Sequence, residues 1–209
     1  MRTGVVLAGG RSARFGADKL TESIDGEPLL ERAIAAVAAV TDEVLVAGRA
    51  VAGDRAEAGS GFPSVRGVLD IEPLGGPLVG LVGALEGARG SLAIVVGGDM
   101  PGLVPGVLRS MLDGLDGDKS IDAVILARPD AEPNGPLPVL PIAIRTVPAR
   151  AAGQAGIAEG RRSLRSLLDQ LRWIELPVAA WLPLDPGART LLDVDTRRDI
   201  ERVRAGKER

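Results

Sequence analysis

The chain has 209 residues, 45% hydrophobic but only 2% aromatic, and a formal net charge of −3 with neither cysteine nor histidine. The core must be built from Val, Leu, Ile and Ala; the lack of a cationic excess and of stacking rings argues against nucleic acid as a partner; and the missing residue types exclude disulfides, thiolate zinc sites, triads and imidazole bases. Catalysis is left to carboxylates, Arg, Lys, hydroxyls or a metal, and the lack of a signal-like start or an apolar run near 18 residues predicts a cytoplasmic protein with no membrane partner.

Val5–Ala8 reads as a first strand, and no regular structure is expected after it until Pro28. Proline is well tolerated in the first turn of a helix, and Leu29, Leu30, Ala33, Ile34, Val37 and Val40 then mark one helical face. Val44–Ala47 and Val65–Leu69 are the second and third predicted strands. Leu78–Ala88 fits a helix of small residues, and Leu92–Val96 a strand ending in Gly97-Gly98-Asp99. A helix over Leu103–Leu115 and a strand over Ala123–Ala127 follow. Prolines 129, 133, 136, 138 and 141 make Arg128–Pro141 a long loop feeding an extended segment over Val139–Ile144; such loops are usually functional or mobile. Leu164, Leu167, Leu168 and Leu171 form an amphipathic helix with Ser163 as N-cap. Trp173–Leu176 reads as a strand and Thr196–Val203 as a terminal helix. The alternation predicts one α/β domain, a three-layer α/β/α sandwich with a mostly parallel, Rossmann-like sheet.

The stretch Leu7-Ala8-Gly9-Gly10-Arg11-Ser12-Ala13-Arg14-Phe15-Gly16-Ala17-Asp18-Lys19 has the make-up of a phosphate cradle. Glycines at a strand end let the backbone turn sharply and bring N–H groups against a ligand. Arg11, Arg14 and Lys19 add cations suited to a polyphosphate. The stretch is not a P-loop, because Gly16 is followed by Ala-Asp, and the adjacent glycines do not fit the dinucleotide fingerprint. Asp99 follows another strand's carboxyl end, where open α/β sheets bind ligands. There it can hold Mg2+ on a nucleotide's phosphates or cap the segment beginning near Pro101. Asp195, just ahead of the last helix, reads by default as its N-cap. Gly76 and Pro77 are by themselves loop punctuation before a helix.

The cradle resembles the L-A-G-G-x(n)-R-x-G-x-D-K signature of nucleotidyltransferases, specifically the molybdenum cofactor guanylyltransferases. Asp70-Ile71-Glu72-Pro73-Leu74-Gly75-Gly76-Pro77-Leu78-Val79-Gly80 is similar to that family's D-x(n)-G-P-L-x-G segment, which passes near base and ribose. Glu159-Gly160-Arg161-Arg162 looks like its G-E-R-R/K segment before the penultimate helix. Leu192–Ile200 resembles its closing x-[ND]-[ILV]-[ND]-T-x-x-[DE]-[ILV]. The resemblance implies Mg2+-dependent transfer of a nucleoside monophosphate, with GTP the leading donor and molybdopterin the leading acceptor. It implies nucleotide contacts at Leu7, Ala8, Gly9, Gly10, Arg14, Lys19, Asp70, Gly76 and Asp99, with Arg14, Lys19 and Asp99 catalytic. It further implies metal contacts at Asp99 and Asp195 and acceptor contacts at Arg161, Arg162 and Asp195. Residues 1–120 would then serve the nucleotide and 121–209 the acceptor. A homo-oligomer, or transient contact with molybdoenzymes or other cofactor-synthesis proteins, is compatible with this. Two positions depart from the pattern. Val46 stands where the family often has an Asn on the nucleoside, and Gly98-Asp99-Met100-Pro101 replaces C-D-T-P. The alternatives are CMP transfer, a sugar phosphate or other phosphate acceptor, or a nucleotide-binding regulator without turnover.

Overall fold

The apolar runs alternate side chains to two faces, and in the computed structural model they form the centre of a single sheet. The structure describes residues 1–9, 19–50, 63–69, 75–130 and 137–205. The strands are β1 (Arg2–Leu7), a small antiparallel hairpin of β2 (Ser23–Ile24) and β3 (Glu27–Pro28), β4 (Glu43–Ala47), β5 (Ser64–Val68), β6 (Leu92–Gly97), β7 (Ala123–Leu126), β8 (Ile142–Arg145) and β9 (Trp173–Leu176). The main sheet runs β5-β4-β1-β6-β8-β7-β9. Every pairing in it is parallel except those of β8, which is antiparallel to both β6 and β7. The reversal fits the connection: no helix lies among the residues described between β7 and β8, and parallel neighbours need a crossover.

The helices are α1 (Leu29–Ala38), α2 (Pro77–Glu86), α3 (Pro105–Gly117), α4 (Thr146–Ala158), α5 (Leu164–Leu168), α6 (Val178–Trp181) and α7 (Arg197–Ala205). Val6, Val44, Val46, Ile94 and Val96 bury one sheet face against Ala33, Ile34 and Val37 of α1 and Leu108, Met111 and Leu112 of α3. Val5, Leu45, Ala93, Val95 and Ile144 bury the other against Leu78, Leu81 and Leu85 of α2, with Ala149 of α4 and Leu164, Leu167 and Leu168 of α5. These are the expected three layers. No described helix is long and apolar enough to cross a membrane.

Helix α4 is absent from the sequence reading. Its Thr-Val-Pro-Ala-Arg-Ala-Ala-Gly-Gln-Ala-Gly-Ile-Ala has no apolar stripe, because it packs by closeness instead of bulk. A Cβ on Gly153 would lie 2.4 Å from Val82 Cγ2 of α2. Pro148 falls in the first turn, where no intrahelical N–H is required. Helix α5 is shorter than expected, ending at Leu168, and Ser163 Oγ accepts its cap bond from Ser166 N at 3.1 Å.

At the sheet edge formed by the strands' amino ends, Glu43 is fully buried. Its carboxylate accepts from Thr3 Oγ1 (2.8 Å), Arg89 N (2.6 Å) and Arg66 Nη2 (2.8 Å). Burial alone would raise its pKa, but these donors outweigh it and hold the carboxyl below its ordinary 4.5.

Candidate active site

Strands β1, β4 and β6 bring their carboxyl ends to the opposite edge, and the chain order reverses there: β4 lies on one side of β1 and β6 on the other. Gly98 N–H donates to Leu7 O across that junction at 2.9 Å. Such switch points are where open α/β sheets bind ligands. Leu7 and the buried Ala8 lead to the exposed Gly9. Gly10 and Arg14 lie outside the described residues, as does Asp70.

Lys19 opens a short 3-10 helix, Lys19–Thr21, anchored by the buried Leu20. Lys19 Nζ donates to Asp99 Oδ2 at 2.6 Å and to Val194 O at 3.1 Å, and it stands 3.5 Å from Asp195 Oδ1. Two chain segments distant in sequence from Lys19 thus converge on its ammonium. The Lys19 and Asp99 side chains are 19% and 25% exposed and that of Asp195 is 61% exposed, so the cluster opens to solvent on the Asp195 side. Burial pulls the Lys19 pKa down, but the hydrogen bond and charge of Asp99, joined by Asp195, raise it above 10.5. Lys19 is therefore a cation at neutral pH.

Neither aspartate caps a helix with its side chain. Helix α3 begins at Pro105 after Val104, so Asp99 is too far upstream and its carboxylate is on Lys19. Helix α7 follows Thr196, and its cap is built in reverse: Asp199 Oδ2 accepts from Thr196 N and Oγ1, both at 2.8 Å, and from Asp195 N at 3.2 Å. The default reading of Asp195 as N-cap is corrected accordingly, because Asp199 occupies that role and leaves the Asp195 carboxylate facing Lys19.

The turn carrying Asp99 is shaped by what packs on it. A Cβ on Gly97 would lie 2.4 Å from Asp99 Oδ1, so the last residue of β6 needs to be glycine for the carboxylate to fold back here. Val194 N donates to Asp99 O at 2.9 Å. Val194 is fully buried with Ile24, Leu29 and Ile200 in a small cluster apart from the two main cores, tying α7 and the β2–β3 hairpin to the site. Upstream, the fully buried Asp185 accepts from Thr190 N at 2.7 Å and from Arg189 Nε at 3.2 Å, and Thr190 Oγ1 accepts from Val104 N at 3.2 Å. The segment leading to Asp195 is thereby stapled beside the start of α3.

Gly76 and the arginine pair form a second grouping. Gly76 has φ +88 and sits against Arg162, where a Cβ would meet Arg162 O at 2.9 Å. Leu78 N donates to that same carbonyl at 3.2 Å. Arg162 Nη1 donates to Ile157 O and Arg161 O, both at 3.0 Å, and Arg161 pairs with Glu159 at 2.5 Å. Val46 is fully buried on the α1/α3 face, where it packs in the core.

Asp193 and Asp195 flank the buried Val194, and neighbours two apart on an extended segment share a side; partial desolvation, then the charges of Asp195 and Asp99, raise the Asp193 pKa above 3.8.

Among the described residues no group of three or more Asp, Glu, His or Cys is disposed to cage a metal. The oxygens around Lys19 Nζ, two carboxylates and a carbonyl, do fit Mg2+, which takes one or two carboxylates and completes its shell with phosphate oxygens and water.

Residues 4–174 match the MobA-like NTP transferase domain family. A probable molybdenum cofactor guanylyltransferase of Chloroflexus aggregans is 35% identical over 98% of this chain and 94% of its own. Among solved structures, molybdopterin-guanine dinucleotide biosynthesis protein A of Archaeoglobus fulgidus superposes with a TM-score of 0.74 at 20% identity, covering 100% of this chain and 99% of the other. The 2-C-methyl-D-erythritol 4-phosphate cytidylyltransferase of Thermus thermophilus gives 0.66 at 18% identity, covering 98% of each. Both structural likenesses are likenesses of fold.

Proposed function

The chain belongs to the MobA-like NTP transferase family and is a nucleotidyltransferase, and we propose that it transfers GMP from GTP to the phosphate of molybdopterin with Mg2+. The observation that carries the proposal is the Lys19 ammonium held between Asp99 and Asp195 at the switch point of the sheet, together with a full-length relative named for guanylyl transfer. An acceptor phosphate oxygen forms a bond to the α-phosphorus of GTP, the bond from that phosphorus to the bridging oxygen breaks, and pyrophosphate leaves. A phosphate monoester has a second pKa of about 6 and is already anionic at neutral pH, so a chain without histidine lacks nothing the reaction needs.

What the reaction needs is charge screening and alignment. The backbone of Leu7, Ala8, Gly9 and Gly10 borders the phosphates, and Arg14 and Lys19 neutralise them. Asp99 and Asp195 would hold Mg2+, which when bound neutralises charge on the triphosphate and the leaving pyrophosphate. Asp70 and Gly76 border the base and ribose. Arg161, Arg162 and Asp195 face the acceptor, dividing the labour between residues 1–120 and 121–209 within one sheet. The test is pyrophosphate release with Mg2+ and each NTP, with and without molybdopterin. GTP with molybdopterin should turn over; release with CTP alone would redirect the assignment to cytidylyl transfer.

A further inference from the structure

We propose that Lys19 is a stand-in cation, occupying the metal position between Asp99 and Asp195 until Mg2+ arrives with the nucleotide, so that the free enzyme excludes the metal by itself. The inference rests on the assignment of Mg2+ to these two carboxylates.

The geometry carries it. Nζ is 2.6 Å from Asp99 Oδ2, 3.1 Å from Val194 O and 3.5 Å from Asp195 Oδ1. A divalent ion that uses the same two carboxylates cannot share them with an ammonium at hydrogen-bond distance, because both cations would compete for the same oxygens and repel each other. Lys19 therefore has to leave when the metal enters. The charges indicate where it goes. Lys19 with Asp99 and Asp195 carries a net charge of −1, and replacing the ammonium by a divalent ion brings the carboxylate pair to neutrality. The displaced ammonium then meets a triphosphate, the strongest anion that reaches the site. Each exchange is unfavourable alone. Metal without nucleotide would move Lys19 away from its carboxylates with no anion to receive it, and nucleotide without metal would leave Asp99 and Asp195 facing phosphates. Arriving together, the two ligands compensate each other, which is a reciprocal coupling between metal and nucleotide affinity. Lys19 opens a 3-10 turn anchored by the buried Leu20, and its long, flexible side chain can make the swing.

The test is Mn2+ binding to the chain without acceptor, read from the loss of the free-ion EPR signal after subtracting the Mn2+ that the nucleotide analogue binds in the absence of protein. Wild type should bind Mn2+ weakly alone and at least tenfold more tightly with a non-hydrolysable GTP analogue. Lys19→Met should bind Mn2+ alone at least tenfold more tightly than wild type, bind the analogue more weakly, and lose most of the coupling. Adding Asp99→Asn to Lys19→Met should abolish the gain. Should Lys19→Met not fold, Lys19→Gln, which keeps a neutral donor, takes its place, and the wild-type coupling is read regardless. Equal Mn2+ affinity in wild type and Lys19→Met, or wild-type binding that ignores the nucleotide, overturns the exchange while leaving the metal site in place. Wild type that takes no Mn2+ even with the analogue overturns the exchange and the metal assignment together.

Discussion

Gly97→Ala should separate the chemistry from the fold. The added methyl would lie 2.4 Å from Asp99 Oδ1 and 3.3 Å from Met100 Cγ. Its backbone is ordinary strand paired with Leu7, so alanine itself is not strained there. The obstacle is the end of a side chain, which can rotate away. To reach the 3.4 Å of normal contact the carboxylate must retreat by about 1 Å, enough to break its 2.6 Å bond to Lys19. A charge-assisted hydrogen bond contributes about 1.5–3 kcal/mol. Partial solvent exposure of both groups reduces this toward ~1 kcal/mol, or a fall in Tm of about 2–4 °C for a chain of this size. Turnover should fall by about two orders of magnitude, because a charge positioned for the transition state has been moved. Gly102→Ala is the contrast. Its methyl would meet the backbone of Arg189, with the carbonyl oxygen at 2.3 Å, and backbone cannot retreat so readily. Melting curves and pyrophosphate release on both variants decide the matter. Gly97→Ala with wild-type turnover would refute the claim that Asp99 must sit where it does.

Asp185→Ala leaves Thr190 N without its acceptor in a buried loop and should cost on the order of 2 kcal/mol in a denaturant melt, loosening the segment that carries Asp195. Glu43 has its pKa lowered in the fold, so its contribution is complete above its ordinary 4.5 and is lost as pH falls through the folded value. Glu43→Gln should therefore be less stable than wild type at pH 7, with the gap closing in melts taken progressively below pH 4.5. Lys19 has its pKa raised, so its contribution is complete below 10.5 and disappears only in more alkaline solution; Lys19→Met should show the same deficit across neutral pH. Arg161→Ala, which spares the backbone bonds of Arg162, should raise the KM for the acceptor and leave that for GTP unchanged in steady-state kinetics.

Apolar patterning made the sheet centre and helices α1, α2 and α3 legible, because runs such as Ala93-Ile94-Val95-Val96 are buried on both faces and fit little else. Helix α4 was hidden by its own packing: Gly153 lets it approach α2 closely, and glycine in sequence reads as a breaker. The antiparallel setting of β8 depends on how a proline-rich loop returns, which no local pattern encodes. At the site, Lys19 and Asp99 were found through glycines at strand ends, a local signal. That Asp195 faces Lys19 was not derivable from its own neighbours, since a helix start explains an aspartate equally well until Asp199 is seen to fill that role.

The most direct measurement follows α-labelled GTP in the presence of Mg2+ and molybdopterin, comparing wild type with Asp99→Asn. Asparagine keeps the size of the side chain and removes its charge. Wild type should place the label in a molybdopterin dinucleotide, one pyrophosphate per product, while Asp99→Asn folds and forms none. Normal labelled product from a folded Asp99→Asn enzyme, or no labelled product from wild type, would contradict the account.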